Sequence, residues 1–235
     1  MYKDSSTYVG KFCVFLLSMA VFNLAYAAPG NGKGNDKEST DSASDPILFV
    51  HGYASGASIW DTMVDRFKAD GWPEERLHAW SYNYNQSNKK TAEEVAAEVQ
   101  ALLERTGASS VDIITHSMGS LSSRYYAKFL NGDENIDAWV SLAGANHGTN
   151  WAYGCLSWSC FEMRPGSNFL SELNKGNETP GDMRYATWRS PCDTIIDPTD
   201  SVILKGADNT KKLCISHNWF VYDSGVYGEV SNFVQ

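Results

Sequence analysis

The sequence predicts an α/β fold, a mostly parallel sheet of about six strands with helices on both faces. Three observations carry that expectation. Short continuous apolar runs recur along the chain, as strands buried on both faces require. They alternate with amphipathic stretches bounded by helix start and stop residues. The length of 235 residues suits one such domain, and a hydrophobic fraction of 43% is enough to fill its core.

Residues 47–50 form the first buried strand. Residues 60–70 read as a helix that stops at Gly71, with Pro73 beyond it. Residues 78–82 supply a second strand. Thr91 and Glu94 make a capping box, in which each satisfies a free backbone donor at a helix start. Val95, Val99, Leu102 and Leu103 then share one helical face, and Gly107 ends the run. Residues 111–115 are the next strand, 118–130 the next helix and 139–143 the strand after it. Residues 144–181 are different, rich in Gly, Asn, Trp and Cys with little periodicity. Residues 183–189 and 213–215 read as the last two strands, and 226–234 as a closing helix.

Ahead of the first strand, residues 1–27 read as a secretory signal. Lys3 and Lys11 supply positive charge, residues 12–24 an apolar run, and Ala25-Tyr26-Ala27 the small-x-small cleavage pattern. The run is too short for a membrane anchor. Residues 28–45, Gly-rich and then charged, have little to bury and are expected to be a disordered leader, which leaves 46–235 as the folded domain. The net charge of -9 and a pI near 5.0 are a poor match for nucleic acid or anionic membrane and favour an uncharged substrate. Cleavage after Ala27 leaves Cys155, Cys160, Cys192 and Cys214, and an even count in an exported chain suggests two disulfides. Of the three pairings, Cys155–Cys160 with Cys192–Cys214 is favoured. A zinc site is the rival reading, but C-x-x-C spacing and a His pair are both missing. The expectation is a secreted, extracellular monomer without cofactor or metal.

The chemistry is carried by Thr115-His116-Ser117-Met118-Gly119, which follows an apolar strand and opens a helix. In that context the pattern is a nucleophile elbow, a turn so tight that the serine hydroxyl stands clear of the sheet. Small neighbours are needed on both sides; Gly119 complies and β-branched Thr115 does not. The competing reading makes Ser117 a plain helix N-cap. Two further parts argue for the elbow. His51-Gly52-Tyr53 closes the first strand, so the backbone N–H groups of Tyr53 and Met118 are candidate donors to an oxyanion. Downstream, an acid and then a histidine are expected in chain order. His217 follows the last strand and is preferred as base over His147, which has no strand-end acid ahead of it. Asp193, after the Ser190-Pro191 turn, is the preferred acid, with Asp197 the runner-up and Asp182, Asp200 and Asp208 also in range. A Cys192–Cys214 bridge would tie the acid loop to the base loop.

With these parts in place the chain resembles the small secreted bacterial lipases of the Bacillus lipase A type and related actinobacterial esterases. The likeness runs from about Pro46 to Val234. It rests on Pro46-Ile47-Leu48-Phe49-Val50-His51-Gly52, on the segment from Val111 through Gly119, on Leu142-Ala143-Gly144-Ala145-Asn146, on Ser190-Pro191-Cys192-Asp193-Thr194-Ile195-Ile196 and on Ser216-His217. The resemblance implies Ser117, Asp193 and His217 as a triad and Tyr53 and Met118 as oxyanion donors. It also implies a compact α/β-hydrolase fold with a six-stranded parallel sheet and little or no lid. Tyr53 replaces the family's aliphatic residue after His-Gly, and the stretch 151–180 is longer, cysteine-bearing and aromatic.

Carboxylic ester hydrolysis is the expected reaction, on acyl esters such as triacylglycerols, with Trp151, Trp158 and Phe161 as candidate acyl-chain contacts or packing residues. Amide, thioester or polyester hydrolysis uses the same triad. A non-catalytic binding protein on the same fold is the alternative from another class.

Overall fold

A computed structural model describes residues 44–235. The expected signal segment and all but the last two residues of the expected leader lie outside the described residues. Those two are held: the Ser44 carbonyl accepts the Arg76 guanidinium at 2.8 Å and the Asp45 carboxylate the Ser110 hydroxyl at 2.6 Å.

The strands are β1 (Ile47–Val50), β2 (Leu77–Ala79), β3 (Val111–His116), β4 (Ile136–Leu142), β5 (Arg184–Arg189) and β6 (Asp208–Lys211). They form one sheet in the order β2-β1-β3-β4-β5-β6, and every neighbouring pair is parallel. The helices are α1 (Asp61–Ala69), α2 (Asn88–Thr106), α3 (Gly119–Phe129), α4 (Trp158–Met163), α5 (Asn168–Leu173) and α6 (Ser224–Phe233). The crossover from β1 to β2 runs one way across the sheet, and those from β2 to β3 and onward run the other way. Right-handed crossovers therefore place α1 on one face and α2 and α3 on the other. Packing agrees, since α2 lies against α3 and α1 against α6. Strands β1 and β3 are buried along their whole length because both faces are covered, which is why β1 reads as an unbroken apolar run; β3 also buries Asp112, Thr115 and His116.

The order in which strands are added to the sheet reverses between β1 and β3. In open α/β sheets the crevice beyond the carboxyl ends at such a point is where ligands sit. His51-Gly52-Tyr53 and Ser117 both lie there, each just past its strand.

Four elements differ from the sequence reading by three residues or more. β2 ends at Ala79, not at residue 82, and β4 begins at Ile136, not at residue 139. The last strand is Asp208–Lys211, not residues 213–215; Leu213 is 93% exposed. An edge strand lacking an apolar face carries no period-2 signal, and Asp208-Asn209-Thr210-Lys211 is held instead by pairing with β5 and by the Asn209 side chain. Helix α2 begins one turn before the Thr91–Glu94 box. Its N-cap is Ser87, whose hydroxyl accepts the Lys89 N–H, while the Glu162 carboxylate of α4 takes the Asn88 N–H at 2.6 Å. A carboxylate from elsewhere in the chain, matched to the positive end of the helix, extends it beyond its local signal. Thr91 and Glu94 instead both accept from Gln86.

Candidate active site

The elbow is formed by Ser117 at φ 55°, a left-handed conformation that costs a non-glycine residue strain. The approach around it is close on two sides. A Cβ on Gly119 would meet the Val50 and His51 carbonyls at 2.5 Å, so α3 passes β1 only because that residue is glycine. A Cβ on Gly52 would meet the Ser117 Cβ at 2.8 Å. Thr115 is accommodated by a different device. Its hydroxyl donates to the Val140 carbonyl at 2.8 Å and lies 3.0 Å from that of Ser120, which reaches Ser141 at 2.9 Å.

His217 stands across the cleft from Ser117. Its Nδ1 lies 2.8 Å from Asp193 Oδ2 and its Nε2 lies 2.9 Å from Ser117 Oγ. An ionised carboxylate only accepts, so the ring proton sits on Nδ1, and the bare Nε2 accepts from the serine hydroxyl. Asp193 Oδ1 is occupied by the N–H groups of Ile195 at 2.8 Å and Ile196 at 3.0 Å. Burial alone would raise the Asp193 carboxyl. The bond to His217 and these two amides outweigh it and hold the group below the usual carboxylate range. Neither the Tyr53 nor the Met118 backbone N–H donates to another group among the described residues. Both flank Ser117 at the same end of the sheet.

Both favoured disulfides are present, Cys155–Cys160 and Cys192–Cys214, with Cα separations of 5.8 Å and 5.0 Å. The second joins the loop of Asp193 to the stretch leading into His217. Ser190 adds a link that the sequence did not reveal: its hydroxyl accepts the N–H of Cys192 at 3.1 Å and of Ile215 at 2.8 Å. Thr149 is a further one. It donates to the Ile195 carbonyl at 2.5 Å and accepts the N–H groups of Trp151 and Asp197, so the aromatic stretch is sewn to the acid loop.

The remaining candidates lie elsewhere. His147 bonds the Ser201 carbonyl at 3.1 Å and Glu178 at 2.8 Å, away from Ser117. Asp197 accepts the Asn150 amide at 3.0 Å on the outside of its turn. His51 stacks on Tyr82 at 4.0 Å, and burial lowers its pKa. His116 is the neighbour that sequence reasoning overlooked. It is buried, its ring lies 4.6 Å from that of His217, and its Nε2 donates to the His217 carbonyl at 3.0 Å. Burial, reinforced by His217, pushes its pKa down to about 3, so it stays neutral.

A cleft of about 230 Å³ opens over Ser117 and His217, lined chiefly by Tyr53, Ile59, Trp151, Met163, Ile195 and Ile196. Most of the lining surface is apolar, with Ser55, Ser117, Thr149, His217 and Asn218 among its polar members. Of the three aromatics singled out, Trp151 lines the cleft; Trp158 and Phe161 do not, and lie on the outer surface beside Lys89 and Phe169. Among the described residues no helix is long and apolar enough to cross a membrane.

The fold is shared with known proteins. The fold matches a Bacillus licheniformis lipase in its mature form at a TM-score of 0.72 and 15% identity, covering 84% of this chain and 95% of that one. It also matches a monoacylglycerol lipase of Paleococcus ferrophilus at 0.61 and 11% identity, over 81% of this chain and 95% of that one. Against Aspergillus fumigatus lipase B the TM-score is 0.66 at 17% identity, over 80% of this chain but only 51% of that longer one. The family model for lipase (class 2) matches residues 44–232, from the first described residue to within α6. The chain belongs to the class 2 lipase family, hydrolases of the lipase and esterase kind built on an α/β-hydrolase fold.

Proposed function

We propose that the chain is an exported serine ester hydrolase, acting on uncharged acyl esters such as triacylglycerols through Ser117, His217 and Asp193. The observation that carries this reading is the unbroken path from Ser117 Oγ through His217 to Asp193, with contacts of 2.9 and 2.8 Å at the floor of an apolar cleft. Export is supported by the signal-like residues 1–27 and by the two paired sets of cysteines.

The steps follow from the geometry. Ser117 Oγ attacks the ester carbonyl while its proton passes to His217 Nε2. The imidazolium so formed is stabilised by Asp193, which the Ile195 and Ile196 amides keep ionised. The carbonyl oxygen, now carrying charge, takes donors from the Tyr53 and Met118 amides, each worth on the order of 3 kcal/mol in the transition state. His217 gives its proton to the departing alcohol. A water activated by the same ring then releases the acid and restores Ser117.

The test is chemical labelling with turnover. An organophosphonate should modify Ser117, and p-nitrophenyl esters should be cleaved by the wild type. His217→Ala should abolish turnover, while His147→Ala should leave most of it. Absence of both labelling and turnover would reject the enzyme reading. Labelling without ester turnover would redirect it to amides.

A further inference from the structure

At the opposite ends of the strands from Ser117, three carboxylates converge. Asp45 precedes β1, Asp112 is the second residue of β3 and Asp137 the second residue of β4. One carboxylate oxygen of each lies within 4.8 Å of one from each of the other two. A bulge produces the convergence. Pairing passes from Val111 with Ile136 to Asp112 with Ala138, so Asp137 is an extra residue on β4, set beside Asp112. Asp112 Oδ1 accepts the Ala138 N–H at 3.0 Å across the same irregularity.

Asp112 is fully buried, and its Oδ2 has no hydrogen-bond partner among the described residues. A buried carboxylate oxygen without a donor is rare in a native fold and calls for a counter-charge. Arg184 meets Asp137 at 2.6 Å, but neither Asp45 nor Asp112 forms an ion pair among the described residues. Asp137 is exposed and Asp45 half-buried, so water reaches the group from one side while Asp112 closes the other.

We propose that Asp45, Asp112 and Asp137 form a calcium site that clamps the segment leading into β1 to β3 and β4. The ion is chosen by oxygen chemistry and by tolerance of irregular geometry. Calcium takes six to eight oxygen ligands in a flexible arrangement, whereas magnesium demands a near-ideal octahedron. An all-carboxylate set with solvent on one side suits a hard cation completed by waters. The competing occupant is a proton on Asp112, whose carboxyl is pushed up to about 8 by burial and by Asp45 and Asp137.

Thermal unfolding of the purified, chelator-treated protein at constant ionic strength separates the two. Calcium at saturating concentration should raise the midpoint by roughly 5–10 °C, the shift that binding to the folded state alone produces for a domain of this size. Magnesium should do much less. Asp112→Asn and, at the solvent-facing side, Asp45→Asn and Asp137→Asn should each remove the calcium response. Should Asp112→Asn fail to fold, the two outer variants carry the same test. A wild type indifferent to calcium, an equal response to magnesium, or an undiminished response in the outer variants would each overturn the assignment.

Discussion

Thr115 occupies the position where a strand-to-helix elbow asks for a small residue, and the structure gives the reason it is tolerated. The crowded contacts of this turn fall on Gly119 and Gly52, which face β1 and Ser117; the Thr115 side chain points instead toward β4 and the first turn of α3. There its hydroxyl joins Ser120 and Ser141, and a Cβ on Gly144 would strike both of those serine hydroxyls. Thr115→Val, nearly equal in volume, is expected to destabilise the fold by about 1–3 kcal/mol through the lost donor to the Val140 carbonyl. Urea unfolding measures this; a midpoint equal to wild type would show the hydroxyl to be dispensable. Asp193→Asn tests the other end of the proposed triad. An amide there leaves the Ile195 and Ile196 contacts usable but favours the wrong His217 tautomer, so kcat should fall by on the order of 10³–10⁴ with little change in thermal midpoint. At this scale the sequence was informative because chain order and strand ends constrain an elbow, its acid and its base. His116, Ser190 and Thr149 escaped it, since each acts through a backbone partner that no side-chain pattern encodes.

Between residues and fold stand the loops that hold the proposed acid and base in register. The Cys192–Cys214 bridge spans 22 residues and closes over the Ser190 hydroxyl link, so the loops of Asp193 and His217 are joined twice. Cys192→Ala with Cys214→Ala should cost about 3 kcal/mol by the chain-entropy account. It should also lower kcat more than it raises KM, because the Asp193–His217 contact loosens while the cleft wall stays. Denaturant midpoints and steady-state kinetics on one short ester would check both, and unchanged kcat would mean that Ser190 suffices to hold the register. The elements themselves were legible where burial imposes a period. The buried strands β1 and β3 and the amphipathic face of α2 carry that signal in plain form. Edge strand β6 carries none, being polar and paired on one side only, and the true start of α2 depends on Glu162, which no local window contains. The stretch 144–181 lacked periodicity for a related reason: its helices α4 and α5 are six residues each, too short for a period to show, and begin at the side-chain caps Ser157 and Ser167.

For the molecule as a whole, the sheet separates two charge systems, one at each end of the strands, and both bear on acid stability. His116 is buried neutral beside His217, with His51 and Asp193 also facing it and with its Nδ1 unpartnered among the described residues. Its folded pKa lies below the unfolded value of about 6.5, so the unfolded chain binds the proton first and stability falls as pH drops through the window from about 6.5 toward 3. Burial sets His51 in the same direction. Asp112, when no cation occupies its site, acts with the opposite sign. Its folded pKa is raised to about 8, so the folded state holds the extra proton and stability falls as pH rises from about 4 to 8. The two overlap between about pH 4 and 6.5, and the wild-type curve there reports only their sum. The difference between wild type and His116→Asn isolates the first, because Asp112 is common to both. Relative to pH 7, the wild type should lose about 2 kcal/mol more than the variant by pH 5, at about 1.4 kcal/mol per pH unit. Urea midpoints across pH 5–7 for the pair provide the measurement. Parallel curves would mean that the folded protein protonates His116 as readily as the unfolded chain does, and the neutral ring beneath the His217 carbonyl would then need another explanation.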